Sequence, residues 1–261
     1  MRIAIAGKGG SGKTTISGTL ARVLARGGRS VVAIDADTNP NLAAILGVRP
    51  GGAQDLVELP RDLLERRTEP DGSVRSVLIP DPDDVVAEFG VDAPDGVRLL
   101  VMGRVMHSGA GCHCRGHATV RAFLDEMVRR ADTRDVVVDM EAGLEHLSRG
   151  TARHVTRFVA VVEPYFRAME TARRVAELAL ELGVEDVVAV ANKVRDEEDR
   201  AAIGGFCASH GIRLAGEIPF DPELARAERA GAAPLDFAPD SAAVRAIREL
   251  TQRLVAPIPA G

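Results

Sequence analysis

At 261 residues the chain is long for one average domain and short for two, a length that large parallel α/β sheets reach as a single unit. Hydrophobic residues make up 46% and aromatic residues 3%, with one Tyr and no Trp, so the core must be aliphatic, as suits a buried parallel sheet. The net charge of -5 and the pI of about 5.7 give no electrostatic reason to expect nucleic acid or an anionic membrane as partner. The first apolar run is too short for a secretory leader and no run approaches a membrane span, which predicts a cytoplasmic protein. Three cysteines, two of them one residue apart, make no disulfide framework in a reducing compartment, and metal binding is the better reading.

Short Val/Ile-rich runs alternate with stretches of helical period, the pattern of repeated βαβ units that builds a mostly parallel sheet with helices on both faces. The first expected strand, 2–6, runs into Gly7-Lys8-Gly9-Gly10-Ser11-Gly12-Lys13-Thr14-Thr15, which opens a helix over 13–26. This fits the P-loop spacing G-x-x-x-x-G-K-[ST]. The glycines let backbone N–H groups turn inward as a nest for phosphate oxygens, and the helix start adds its positive dipole end. Lys13 is expected to reach the β- and γ-phosphates, and the Thr14 hydroxyl to bind Mg²⁺. Of 33 basic residues only Lys8, Lys13 and Lys193 are lysines, and each falls in a candidate nucleotide motif. A compact ammonium does something there that a planar guanidinium cannot.

The second strand, 30–35, ends in Asp35-Ala36-Asp37, two acids placed to hold magnesium waters and orient an attacking water. Between Gly47 and Gly96 the periodic pattern breaks down across six prolines and acidic patches such as Asp81-Pro82-Asp83-Asp84, which predicts an insertion of short helices and a hairpin. A strand over 97–102 precedes the Gly-rich loop Gly109-Ala110-Gly111-Cys112-His113-Cys114-Arg115-Gly116-His117, and a helix is expected over 117–130. Cys112 and Cys114 are too few for a closed tetrahedral or square-planar thiolate site, and a two-fold dimer would supply four. Histidines 107, 113 and 117 either supplement the thiolates or are solvated, and we read them as solvated.

The strand 135–139 ends Val136-Val137-Val138-Asp139, suited to a Walker B aspartate on a magnesium water. Gly143, just beyond it, could sense the γ-phosphate through its N–H. Strands over 157–162, 186–191 and 213–218 and helices over 167–182, 197–209 and 241–254 complete the alternation, with Cys207 expected in the core. After the sixth strand comes Asn192-Lys193-Val194-Arg195. GTPases carry an Asp three residues after such an Asn, and Arg195 cannot accept from guanine, so the segment favours adenine with Asn192 as base contact. No repeat or clear linker splits the chain, so one domain over 1–261 is expected.

The early Lys8 and the K-G-G-x-G-K-T loop resemble the MinD/ParA/nitrogenase-iron-protein group of P-loop NTPases. The resemblance implies an ATPase holding ATP or ADP with Mg²⁺ between two subunits, with Lys8 reaching the partner's phosphates much as an arginine finger does. It also implies that Asp37 positions the attacking water and that Ile218-Pro219-Phe220 is a second adenine loop. Many relatives place proline directly after the second acid, whereas here Thr38 follows and Pro40 comes later. Val101-Met102-Gly103-Arg104, the Cys-x-Cys segment and Asp139-x-Glu141-Ala142-Gly143-x-Glu145-His146-Leu147-Ser148-Arg149 narrow the likeness to CooC-type ATPases. That likeness implies a homodimer bridged by Ni²⁺ or Zn²⁺ at Cys112 and Cys114, serving nickel insertion into carbon monoxide dehydrogenase. The rival readings are a MinD/ParA-like switch with another client and an iron–sulfur-bridged electron-transfer ATPase. A membrane-cycling ATPase would want a basic amphipathic tail and a DNA-partition ATPase a basic surface, and neither is present in the sequence.

Overall fold

Val, Ile and Ala runs with β-branched side chains need two covered faces, and the chain supplies them by winding helices on either side of one sheet. The computed structural model describes residues 1–48, 57–60, 62–68, 72–102, 114–141 and 154–256. The sheet strands are β1 (Arg2–Gly7), β2 (Val31–Ala36), β5 (Val91–Asp92), β6 (Arg98–Val101), β7 (Asp135–Met140), β8 (Arg157–Val162), β9 (Asp186–Val194) and β10 (Arg213–Pro219). Their order is β10-β9-β8-β1-β7-β2-β6-β5, parallel throughout except for the short edge strand β5 against β6. β1 is central, flanked by β7 and β8, and the chain changes direction of winding there. Ligands of open α/β sheets bind beyond the strand carboxyl ends at such a point.

Side-chain alternation divides the core in two. Ala4, Val32, Val136 and Val138 face the helices α4 (Cys114–Arg129) and α5 (Phe166–Glu181) through Val120, Phe123 and Val175. Ile3, Ile5, Val137 and Val159 face α1 (Lys13–Arg26) and α9 (Ala242–Val255) through Ile16, Leu20, Ile247 and Leu250. Each such aliphatic side chain stabilises the fold by roughly 1.5–3 kcal/mol when fully buried. The terminal helix α9 is thus a packed core element. Cys207, on α6 (Glu197–Ser209), is buried as expected. No helix among the described residues is long and apolar enough to cross a membrane.

The irregular region contains an antiparallel hairpin of β3 (Leu64–Thr68) and β4 (Val74–Leu78), and then α3 (Pro82–Phe89). The acidic run Asp81-Pro82-Asp83-Asp84 is a helix start, with Pro82 in the first turn and two acids against the helix dipole. Residues 49–56, 61 and 69–71 of the expected insertion lie outside the described residues. Three short helices were not expected: α2 (Leu42–Leu46), α7 (Pro222–Arg229) and α8 (Pro234–Phe237). One boundary also differs. α4 begins at Cys114, ahead of the expected start at 117, so Cys114 and His117 lie one turn apart.

Candidate nucleotide site

β1 ends in the glycine loop, and backbone geometry shows why glycine is required there. Gly10 and Gly12 sit at φ +79° and +94°, the left-handed region that side chains strain. A Cβ on Gly12 would come within 2.3 Å of Asn192 Nδ2. The Ser11 N–H donates to the Lys8 carbonyl at 3.1 Å and closes the turn. No side chain caps the start of α1, so its first N–H groups remain available to an anion. Lys13 is buried, with Nζ 3.4 Å from the Lys8 carbonyl.

Two acids stand beside it on neighbouring strand ends. Asp35 and Asp139 are register partners on β2 and β7, and both are buried. Burial, and then the Asp139 charge, push the Asp35 carboxyl up to about 7, although it accepts from the Leu42 N–H at 2.8 Å and the Asp37 N–H at 3.2 Å. Burial pushes Asp139 up to about 6 against hydrogen bonds from Thr14 and Ser17 and the Lys13 charge. The Ser17 hydroxyl reaches both the Lys13 carbonyl at 2.9 Å and Asp139 Oδ1 at 3.1 Å. Asp37 is half-buried, and its Oδ1 accepts from the Asn39 N–H at 2.9 Å. Two crowded carboxylates with raised pKa values form a donor set that a hard cation relieves. Among the described residues no group of three or more His, Cys, Asp or Glu side chains is arranged to hold a metal ion. Magnesium takes one or two protein oxygens and draws the rest from phosphate and water.

A cavity of about 670 Å³ extends from the phosphate loop to the ends of β9 and β10. Gly10, Gly12, Lys13, Thr14 and Thr15 line it together with Asn192, Lys193, Pro219 and Phe220, so segments distant in the sequence meet there. The contacts of the β9 residues differ from a simple base site. The Asn192 Nδ2 donates to the Ser11 carbonyl at 2.6 Å, so this amide nitrogen braces the phosphate loop. Lys193, at φ +59°, donates from Nζ to the Gly10 carbonyl at 2.5 Å and pairs with Glu163 at 2.8 Å. Arg195 bonds the Tyr165 hydroxyl at 3.1 Å and lies 4.9 Å from the Phe220 ring centre, a cation–π contact on the cavity rim. Sequence reasoning missed Glu163 and the closing helices α7 and α8, which contribute Leu224 and Pro234. Asp221-Pro222-Glu223, with the Asp221 side chain accepting from the Glu223 N–H, was the signal for α7.

Lys8 is exposed and borders a separate depression of about 350 Å³ on α5, beside Phe166, Arg167 and Glu170. Gly9 is likewise exposed. Gly143, Cys112, His107, His113 and the Cys114 side chain lie outside the described residues. His117 corrects the solvated reading: it is 1% exposed, with Nε2 3.6 Å from Glu141 Oε2. His117 stands three and seven residues before the buried Val120 and Leu124, and so shares the buried face of α4.

A parallel sheet whose central strand feeds a glycine loop and helix, with buried acids on the adjoining strand ends, defines a P-loop ATPase. The chain belongs to the CobQ/CobB/MinD/ParA nucleotide-binding domain family, whose model matches residues 3–235. It is 39% identical over 243 residues to the carbon monoxide dehydrogenase accessory protein CooC of Rhodospirillum rubrum, covering 92% of this chain and 91% of that one, and it stands with the CooC-type members of the family. An ATP-binding protein of Methanocaldococcus jannaschii is 33% identical over 260 residues, 98% of each chain. In fold the chain matches the MinD cell division protein of Aquifex aeolicus with a TM-score of 0.72 over 100% and 99% of the two chains, at 22% identity.

Proposed function

We propose that this ATPase is a dimer-forming cytoplasmic metallochaperone that assists nickel insertion into carbon monoxide dehydrogenase, working as one domain over residues 1–261. The observation that carries the reading is the start of α4 at Cys114. The Cys112-x-Cys114 segment leads into a helix whose first turn reaches Glu141, two residues past the buried Asp139. Nucleotide and metal chemistry then share one helix end. The relation to a CooC protein along nearly the whole chain supports the same client class.

In this reading Lys13 opposes the β/γ-phosphate charge, with the N–H groups of Gly9, Gly10, Ser11, Gly12, Thr14 and Thr15 cradling the oxygens. Thr14 and Asp139 would hold Mg²⁺, which supplies charge neutralisation at the phosphates. Asp37 orients the attacking water and Gly143 senses the γ-phosphate. Pro219 and Asn192 border the adenine, and Lys193 steadies the phosphate loop. Lys8, in the loop after β1, borders a depression beside α5 and does not line its own chain's nucleotide cavity, which supports a role across the dimer. Nickel is cargo, held by two thiolates from each subunit.

Metal analysis combined with sedimentation tests the reading. The expected result is one Ni²⁺ or Zn²⁺ per two chains, with metal-driven dimerisation lost in the Cys112→Ser/Cys114→Ser variant. One ion per chain, or unchanged binding in that variant, removes the bridging site. A MinD/ParA-like switch with another client is the second reading, favoured by the fold match, and it predicts no metal at these cysteines.

A further inference from the structure

Part of the wall of the nucleotide cavity comes from the segment between β10 and α9, and little apolar packing holds that segment in place. Leu224 and Ala225 of α7, then Ala232 and Pro234, line the cavity. Yet α7 buries only Ala227, and α8 only Pro234 and Leu235. Alanine and proline bury little apolar area, so packing contributes less here than to the core helices.

A carboxylate fixes the segment at each end instead. At its start Asp221 accepts from the Glu223 N–H at 3.0 Å and from the Ala243 N–H of α9 at 2.9 Å. At its end Asp236 of α8 meets Arg22 of α1 in a bidentate pair, Nη1 to Oδ2 at 2.5 Å and Nη2 to Oδ1 at 2.8 Å. Such a fork sets orientation as well as distance. The Arg22 side chain is 2% exposed, and its Nε donates to Oδ2 of Asp95, in the turn before β6, at 2.6 Å. The hydrogen bonds from Arg22 hold the Asp236 carboxyl below the usual carboxylate range, so the pair is ionised near neutral pH. The end of α2 closes on the same pair: a Cβ on Gly47 would lie 3.1 Å from Asp236 Oδ2 and 3.4 Å from Arg22 Nη1. α2 also lines the cavity, through Ala44 and Ile45. One arginine, on the helix that begins at the phosphate loop, thus ties together two parts of the cavity wall.

We propose that Arg22 and Asp236 form a latch that holds α7 and α8 against α1 as a wall of the nucleotide cavity, and thereby sets nucleotide affinity. Both are positioning residues, and neither lines the cavity. Arg22 follows Lys13 by nine residues, roughly 13 Å along the helix, so the latch stands away from the phosphates. It rests on the cavity being the nucleotide site and is independent of the metal reading.

Titration of the full chain with ADP, and with Mg²⁺ and a non-hydrolysable ATP analogue, tests the latch. Asp236→Asn keeps the shape of the side chain and removes its charge. Asp95→Asn is the control, because it takes a charge from the same arginine at a residue outside the segment. Asp95 sits at φ +63°, where asparagine is equally at home. Arg22 keeps one acid in either variant, which spares the fold the cost of an unpaired buried charge.

Asp236→Asn should raise the dissociation constants of both nucleotides by about fivefold or more, and by the same factor. Asp95→Asn should leave both within about twofold of the parent. Turnover at saturating ATP should stay within about twofold in both variants, while KM rises only in Asp236→Asn. Amide hydrogen exchange without nucleotide should quicken over residues 222–237 in Asp236→Asn and stay unchanged in the sheet. Unchanged affinity in Asp236→Asn, an equal loss in Asp95→Asn, a loss confined to the ATP analogue, or exchange that quickens evenly along the chain overturns the latch. A parent that binds neither nucleotide overturns the assignment of the cavity together with the latch.

Discussion

Asp35→Asn should stabilise the nucleotide-free chain in mild alkali and leave it little changed in mild acid. In the folded state burial and the Asp139 charge hold this carboxyl up to about 7, against a usual 3.8. A raised folded pKa means that the folded chain keeps a proton which the unfolded chain has released. The resulting stability is fully present below about pH 4 and is lost as pH rises through about 7. A gap of about three units is worth ~4 kcal/mol at pH 8, at 1.36 kcal/mol per unit. The amide carries no charge, but its NH₂ must face one of the two N–H donors, of Asp37 or Leu42, that the carboxylate accepts from. That lost bond costs about 1–3 kcal/mol. The net effect is a gain of about 1–3 kcal/mol at pH 8 that shrinks by about 2.6 kcal/mol to near zero at pH 5, where the unfolded carboxyl is ionised but the gap above pH 5 no longer counts against the parent. With no Trp and one Tyr in the chain, urea unfolding is best followed by far-ultraviolet circular dichroism, in chelator and without nucleotide. A difference between variant and parent that is equal at the two pH values, or reversed, would refute the reasoning.

Three further outcomes are expected. Lys13→Ala removes the buried charge facing the phosphates and should abolish phosphate release, so turnover at the parent rate would remove Lys13 from its role. Asp37→Ala should bind ATP and accumulate the closed dimer while turnover falls by about 100-fold or more, the usual contribution of a positioned base. Size-exclusion chromatography with ATP checks the first half of that statement and a phosphate assay the second. Gly12→Ala would put a Cβ 2.3 Å from Asn192 Nδ2 at a φ of +94°. Titration should show nucleotide affinity lowered about tenfold or more, and unchanged affinity would mean that the loop conformation is not set by this contact.

The phosphate loop was legible because its residues are contiguous and each has one steric or electrostatic reason to be there. The seven expected sheet strands and five main helices were legible for a related reason, since buried parallel strands are written as unbroken Val/Ile runs. The contacts that join distant segments were not. Nothing in the sequence links Asn192 to the Ser11 carbonyl, 181 residues away, or Lys193 to Gly10. Those partners exist only once β9 lies in the sheet. The solvated reading of His117 failed because this position stands three and seven residues before the buried Val120 and Leu124, and so shares the buried face of α4. α7 escaped notice because only Ala227 on it is buried, too little for a hydrophobic period, although its start carried a capping signal.

The central claim joins ATP hydrolysis to nickel delivery, and one reconstitution tests it most directly. Nickel-deficient carbon monoxide dehydrogenase is incubated with limiting Ni²⁺, ATP and this protein, and the recovery of carbon monoxide oxidation is timed. The account predicts that the parent chain accelerates recovery in the presence of ATP, and that Lys13→Ala and Cys112→Ser/Cys114→Ser do not. Recovery at the same rate with either variant, or with the protein omitted, would contradict it.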